Sequence, residues 1–138
     1  MKIRYPALLT SVAGGGFDVQ FIDLAEAHTK GDTLEDALCK AAEILTQALE
    51  GRIADGVVIP VPSHDVSGAY YIAPDAKTQS ALLLRHARGE RTFSELARAL
   101  ETSWPQARRL EDPTHWPSLK TLDRAARVLG KRLVLSIE

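Results

Sequence analysis

The sequence predicts an α+β protein: a small antiparallel sheet packed on one long helix, then a run of short helices that closes on a strand. Three observations lead there. Apolar residues alternate with a period of two near the N-terminus, they then recur at helical spacing from Leu34 to Leu49, and the charge changes sign near the middle of the chain. Alternation lines one face of a strand, whereas a period near 3.6 lays a stripe along a helix.

Ile3, Tyr5, Ala7 and Leu9 form the first alternating set, and Phe17, Val19 and Phe21 form the second, interleaved with Asp18 and Gln20. Gly14–Gly16 between them supply the backbone freedom of a hairpin turn. A third short strand is expected over Ala27–Lys30. Asp32 or Thr33 can cap the helix that follows, and Glu35 and Asp36 suit the positive end of its dipole. Leu34, Ala37, Leu38, Ala41, Leu45, Ala48 and Leu49 make one apolar stripe for the sheet, and Gly51 and Gly56 weaken the helix end.

"VVIPVPSHDVSG" reads as extended chain, and it lies where the charge changes. Residues 1–66 hold 5 Lys/Arg against 10 Asp/Glu, a net of −5; residues 67–138 hold 12 against 8, a net of +4. Opposite signs suggest two modules with different partners. The first domain is therefore placed at 1–66 and the second at 74–138. The junction, 67–73, contains "AYYIA", a candidate edge strand. Helices are expected at about 75–88, 92–100, 103–111 and 118–129, with Gly130 as a C-cap. In "RLVLSI", Leu133, Leu135 and Ile137 share one face of a final strand.

Composition narrows the function. At 138 residues, 45% hydrophobic and 25% charged, this is an ordinary globular composition. No apolar run approaches the roughly 18 residues of a membrane span, and no signal peptide is read at the N-terminus. One cysteine, Cys39, excludes an internal disulfide and fits a cytoplasmic protein. It is expected as a small, packed or partly buried residue beside the apolar stripe. His28, His64, His86 and His115 have no zinc spacing, and "AGGGF" lacks the lysine and following helix of a phosphate loop. Neither a cofactor nor an enzymatic activity is expected.

"FSELARALETSWPQARRLED", Phe93 to Asp112, has the pattern of a helix-turn-helix. Leu96, Leu100, Ala107 and Leu110 supply apolar contacts, Ala97 the small crossing residue, and Ser103 an N-cap ahead of Trp104 and Pro105. Glu101 stands where glycine usually supplies a left-handed turn, a substitution that costs roughly 1 kcal/mol. Gln106, Arg108 and Arg109 are candidates for base contacts, since Gln matches adenine and Arg matches guanine. Thr102, Ser103 and Lys120 are candidates for phosphate contacts, with Arg124 on the same helix as Lys120. A helical bundle with a solvated basic face is the alternative.

"LDRAARVLGKRLVLSIE" is similar to the closing helix and strand of Cro/phage-repressor-type domains, which implies a dimer reading half-sites about 34 Å apart. The terminal strand would then pair between two copies or cover its own core. "YP" at Tyr5–Pro6, "GGFDVQFIDL" and "TKGDTLEDALCKAAEILTQAL" resemble the N-terminal domain of the HicB family of antitoxins, which has a partial ribonuclease-H-like fold. That resemblance implies a first domain that binds and blocks HicA, a small basic toxin that cleaves mRNA. It also implies a second domain that represses the shared operon on operator double-stranded DNA, as a homodimer or higher homo-oligomer, with no membrane partner. One departure is "DLAEA", where the family often has proline after the aspartate. Asp18, Asp23, Glu26 and Asp32 are the candidate toxin-facing carboxylates. A two-metal nuclease would need such carboxylates to converge, and regular strand geometry points Asp18 and Asp23 to opposite faces. The second reading is a DNA-binding regulator whose α+β domain serves oligomerisation or ligand sensing without a toxin.

Overall fold

A computed structural model describes residues 1–138, which fall into two compact units, Met1–Ala76 and Lys77–Glu138. The first unit holds a four-stranded antiparallel sheet of order β3-β2-β1-β4. Its strands are β1 (Tyr5–Ser11), β2 (Phe17–Phe21), β3 (His28–Gly31) and β4 (Tyr70–Ile72), with helix α1 (Leu34–Asp55) inserted before the last. Leu9 pairs with Val19, Val19 with Thr29, and Tyr5 with Ile72. This register gathers Tyr5, Ala7, Val19 and Phe21 on one buried face. The "AYYIA" segment thus returns as the edge strand beside β1.

Ala37, Ala41, Leu45 and Leu49 of α1 are fully buried and supply the helical side of this core. Thr33 caps the helix, its hydroxyl accepting from Asp36 N–H at 3.0 Å, and the Asp36 carboxylate accepts from Asp32 N–H at 3.0 Å. The first turn therefore satisfies its own exposed donors. Helix and sheet come close together at Gly31, where an added Cβ would lie 2.4 Å from the Ala37 nitrogen. Residues 57–66, expected to be extended, have no regular structure and turn at Asp65, φ 53°. They are stitched to the sheet, where the Tyr5 hydroxyl donates to Pro60 O at 2.7 Å and Val66 N–H donates to the Tyr71 hydroxyl at 3.0 Å.

The second unit is helical: α2 (Ala76–Arg88), which starts at the last residue of the first unit, α3 (Phe93–Leu100), α4 (Trp104–Arg109) and α5 (Leu119–Val128). Leu84, Leu96, Ala97, Leu100, Ala107, Leu110, Ala125 and Leu129 form its core. The terminal strand expected at 132–137 does not form. Residues 131–138 have no regular structure, and Val134, Leu135 and Ile137 are 80%, 65% and 103% exposed. An all-helical unit offers no strand edge, so this segment has no ladder to join within its own unit. Cys39 also departs from expectation: it is exposed, because its position in α1 falls outside the stripe set by Ala37 and Ala41.

Burial, with the nearby Asp23 carboxylate adding to it, pushes the Tyr5 phenol up to about 12. The unfolded chain releases this proton near pH 10, so the folded state holds it more tightly. The resulting stabilisation is intact below pH 10 and is lost as pH rises toward 12. Urea denaturation of the protein should show stability falling across that window, and Tyr5→Phe should flatten the fall. At neutral pH the same variant should cost about 1 kcal/mol, since the Pro60 carbonyl loses its donor.

Candidate functional site

Two short helices meet at Glu101. Thr92 caps α3, its hydroxyl accepting from Glu95 N–H at 3.1 Å, and Leu96, Ala97 and Leu100 face inward. Glu101 adopts φ 54°, ψ 46°, the left-handed conformation that glycine would take there at little cost. The chain then closes the helix with two hydrogen bonds, Thr102 N–H to Ala97 O at 2.9 Å and Glu101 N–H to Arg98 O at 3.1 Å. The same pair of bonds ends α5 around Gly130. The turn therefore keeps its geometry with a glutamate in it. The Glu101 carboxylate gains only an exposed contact with Arg124 at 3.8 Å, which returns little of the backbone strain.

Ser103 caps α4 by accepting from Gln106 N–H at 3.3 Å, and Pro105 lies in the first turn. Ala107 is fully buried, which leaves Trp104, Gln106, Arg108 and Arg109 on the outside of the same short helix. Thr102 is exposed in the turn that precedes them. These positions are therefore brought together. Lys120 is exposed too, but it stands on α5, near the Ser118 cap whose hydroxyl accepts from Thr121 N–H at 3.1 Å. Behind α4 lies a pair that the sequence reading did not contain. Arg88 donates to both oxygens of Glu111, at 2.5 and 3.1 Å, and its guanidinium lies 4.1 Å from the centre of the Phe93 ring. Their side chains are only 17% and 8% exposed. Phe93 meets Trp104 edge-on at 5.8 Å, and Arg108 lies over the Trp104 ring at 5.8 Å.

The four acidic candidates do not gather in one place. Asp18 is exposed on the outward face of β2, opposite Lys30 of β3, and Asp32 is exposed just ahead of α1. Asp23 accepts from Ser63 through both the hydroxyl, at 2.5 Å, and the backbone N–H, at 2.9 Å. Glu26 is held by Arg52 at 2.6 and 2.9 Å, a pairing that keeps its carboxyl below the usual range. Two of the four thus have internal work, fastening residues 57–63 and the end of α1 to the sheet. Beside Asp18 the open face of the sheet also exposes Leu8, Ile22 and Tyr71, an apolar element that carboxylate spacing alone did not reveal. No group of three or more His, Cys, Asp or Glu side chains is placed to hold a metal ion, and no helix is long and apolar enough to cross a membrane.

Two substitutions test this frame. Glu101→Gly should raise stability by about 1 kcal/mol, because it removes the left-handed strain; a urea titration against wild type measures it. Glu111→Gln should lower stability by about 3 kcal/mol, because it leaves the Arg88 charge nearly buried without its counter-ion. The same titration, read by helical circular dichroism, measures the loss.

Residues 4–77, more than half of the chain, match the sequence profile of a family described as HicB_like antitoxin of bacterial toxin-antitoxin system. Similar proteins include Antitoxin HicB of Escherichia coli (strain K12), 34% identical over 135 residues, which span 96% of this chain and 98% of that protein. Antitoxin HicB 1 of Photorhabdus laumondii subsp. laumondii is 34% identical over 139 residues, 99% of this chain and 88% of its own length. Antitoxin HicB 2 of the same organism is 36% identical over 135 residues, 97% and 96% respectively. An N-terminal four-stranded sheet on one long helix, matched through its full extent, together with relatives aligned along nearly the whole chain, places this protein in the HicB-like antitoxin family.

Proposed function

We propose that this chain is an antitoxin that neutralises a HicA-type mRNA-cleaving toxin and represses its own operon by binding operator DNA. The observation that carries this reading is the near full-length similarity to proteins named Antitoxin HicB. In this reading residues 1–66 cover the toxin, residues 74–138 form a helix-turn-helix DNA-binding domain, and the junction between them, 67–73, completes the sheet of the first as its edge strand.

On the toxin side, Asp18 and Asp32 offer charge to a basic partner, while Leu8, Ile22 and Tyr71 offer apolar area. Charge of this kind speeds association and discriminates among partners, whereas a buried apolar centre supplies most of the affinity. Asp23 and Glu26 contribute by holding that surface in shape.

On the DNA side, α4 enters the major groove. Gln106, Arg108 and Arg109 face base edges, and Thr102, Ser103 and Lys120 face phosphates. The protein acts as a homodimer, since paired half-sites require two copies of the helix. The exposed apolar segment at 132–137 is the place for two copies to join, each supplying the strand partner that the other's segment lacks within its own unit.

A gel-shift titration on the DNA upstream of the coding sequence tests the reading at two salt concentrations. Wild type should bind specifically and more weakly at the higher salt. Arg108→Ala/Arg109→Ala should bind at least about thirtyfold more weakly, from the loss of two bidentate contacts, yet still restore growth to cells producing the toxin. Equal binding by the double variant would overturn the DNA half, and failure of wild type to restore growth would overturn the antitoxin half.

A further inference from the structure

We infer that Trp104 is a specificity-determining residue of the DNA-reading surface, its indole taking the 5-methyl group of a thymine in the major groove. The inference rests on the operator-binding reading above and adds to it a residue and a base.

Trp104 opens α4 and is 47% exposed, while Ala107, three residues on, is fully buried. The indole is therefore not filling the core. The ring stands half in water beside Arg108, on a short helix that also exposes Gln106 and Arg109, and tryptophan so placed, with an apolar body and a wet edge, is favoured at contact surfaces. It is also held in place. The edge-on contact with Phe93 fixes one side of the ring, and the Arg108 guanidinium lies over its face. Phe93 is in turn seated by Arg88, which also pairs with the buried Glu111. A continuous line of contacts thus runs from a buried carboxylate to the exposed indole, so the ring meets its ligand already oriented.

The chemistry of that ligand follows from what the indole lacks. It carries no charge, and its one polar group, Nε1–H, can only donate a hydrogen bond; the rest of the ring is apolar and finds its match in an apolar group. The one apolar group displayed in the major groove is the thymine methyl. Because Arg108 lies 5.8 Å from the Trp104 ring centre and successive bases rise about 3.4 Å along a strand, the thymine sits within about two base pairs of the base that Arg108 contacts.

The test replaces each thymine of the upstream DNA with uracil, which removes only the methyl group, and measures binding of the full chain by fluorescence anisotropy. Wild type should lose about fourfold in affinity at one thymine per half-site, the worth of one methyl withdrawn from an apolar contact. Trp104→Ala should bind the unmodified DNA several-fold more weakly and show no further loss on uracil. A Trp104→Ala protein that binds like wild type, or that keeps the uracil penalty, overturns the inference while leaving operator binding intact. If Trp104→Ala melts below the assay temperature, Trp104→Phe decides: a changed methyl penalty supports the contact and an unchanged one overturns it. Absence of any uracil-sensitive position in wild type overturns it without a variant. No specific binding by wild type removes the operator reading itself, and this inference with it.

Discussion

A six-residue helix cannot set its own direction, because its few internal hydrogen bonds barely offset the cost of nucleation. In the second unit that direction is imposed from behind by Arg88 and Glu111. Their paired contact joins the end of α2 to the residue just past α4, and Arg88 also donates to the Arg91 carbonyl at 2.5 Å, tying down the approach to α3. A pair this well covered gives little net stability compared with apolar packing, but neither charge can be left alone. Its contribution is therefore to position: with Ala107 and Leu110 buried in front of it, only one face of α4 can point outward.

The local parts of the architecture were legible in the sequence because they are written in short periods. Alternation gave the hairpin, helical spacing gave α1, and Ser103 gave the start of α4. Even Glu101, an unfavourable residue for its turn, was locatable, because Ala97, Leu100 and Ala107 fix where the two helices must cross. What spacing could not reach was distance along the chain. Asp23 meets Ser63 forty residues later, Glu26 meets Arg52 twenty-six residues later, and Arg88 meets Glu111 twenty-three residues later. Each of these charged residues reads locally as surface, and each is tied down by a remote partner.

The terminal segment misled for the opposite reason. Its period of two is real, and Leu133, Leu135 and Ile137 do alternate, but a strand exists only where a second strand accepts its hydrogen bonds. The pattern records a capacity for pairing without saying with what. The acidic half shows a related distinction between charge and available charge. Carboxylates bonded to Ser63 and Arg52 still count toward the net charge of residues 1–66, yet they are already engaged by partners within the unit. The outward surface is accordingly more mixed than the arithmetic of the sequence suggests, with apolar residues beside Asp18.

Gly31 separates two kinds of freedom in the first unit. By bringing β3 against the backbone of α1 with no side chain between them, it fixes the gap between the two layers. That gap does not depend on what β1 and β2 display on their other side, where Leu8, Thr10 and Asp18 point away from the helix. Outward positions can therefore exchange size, polarity or sign without shifting the layers beneath them. A scaffold of this kind lets a lineage repaint its recognition surface in step with a changing partner while the frame stays constant.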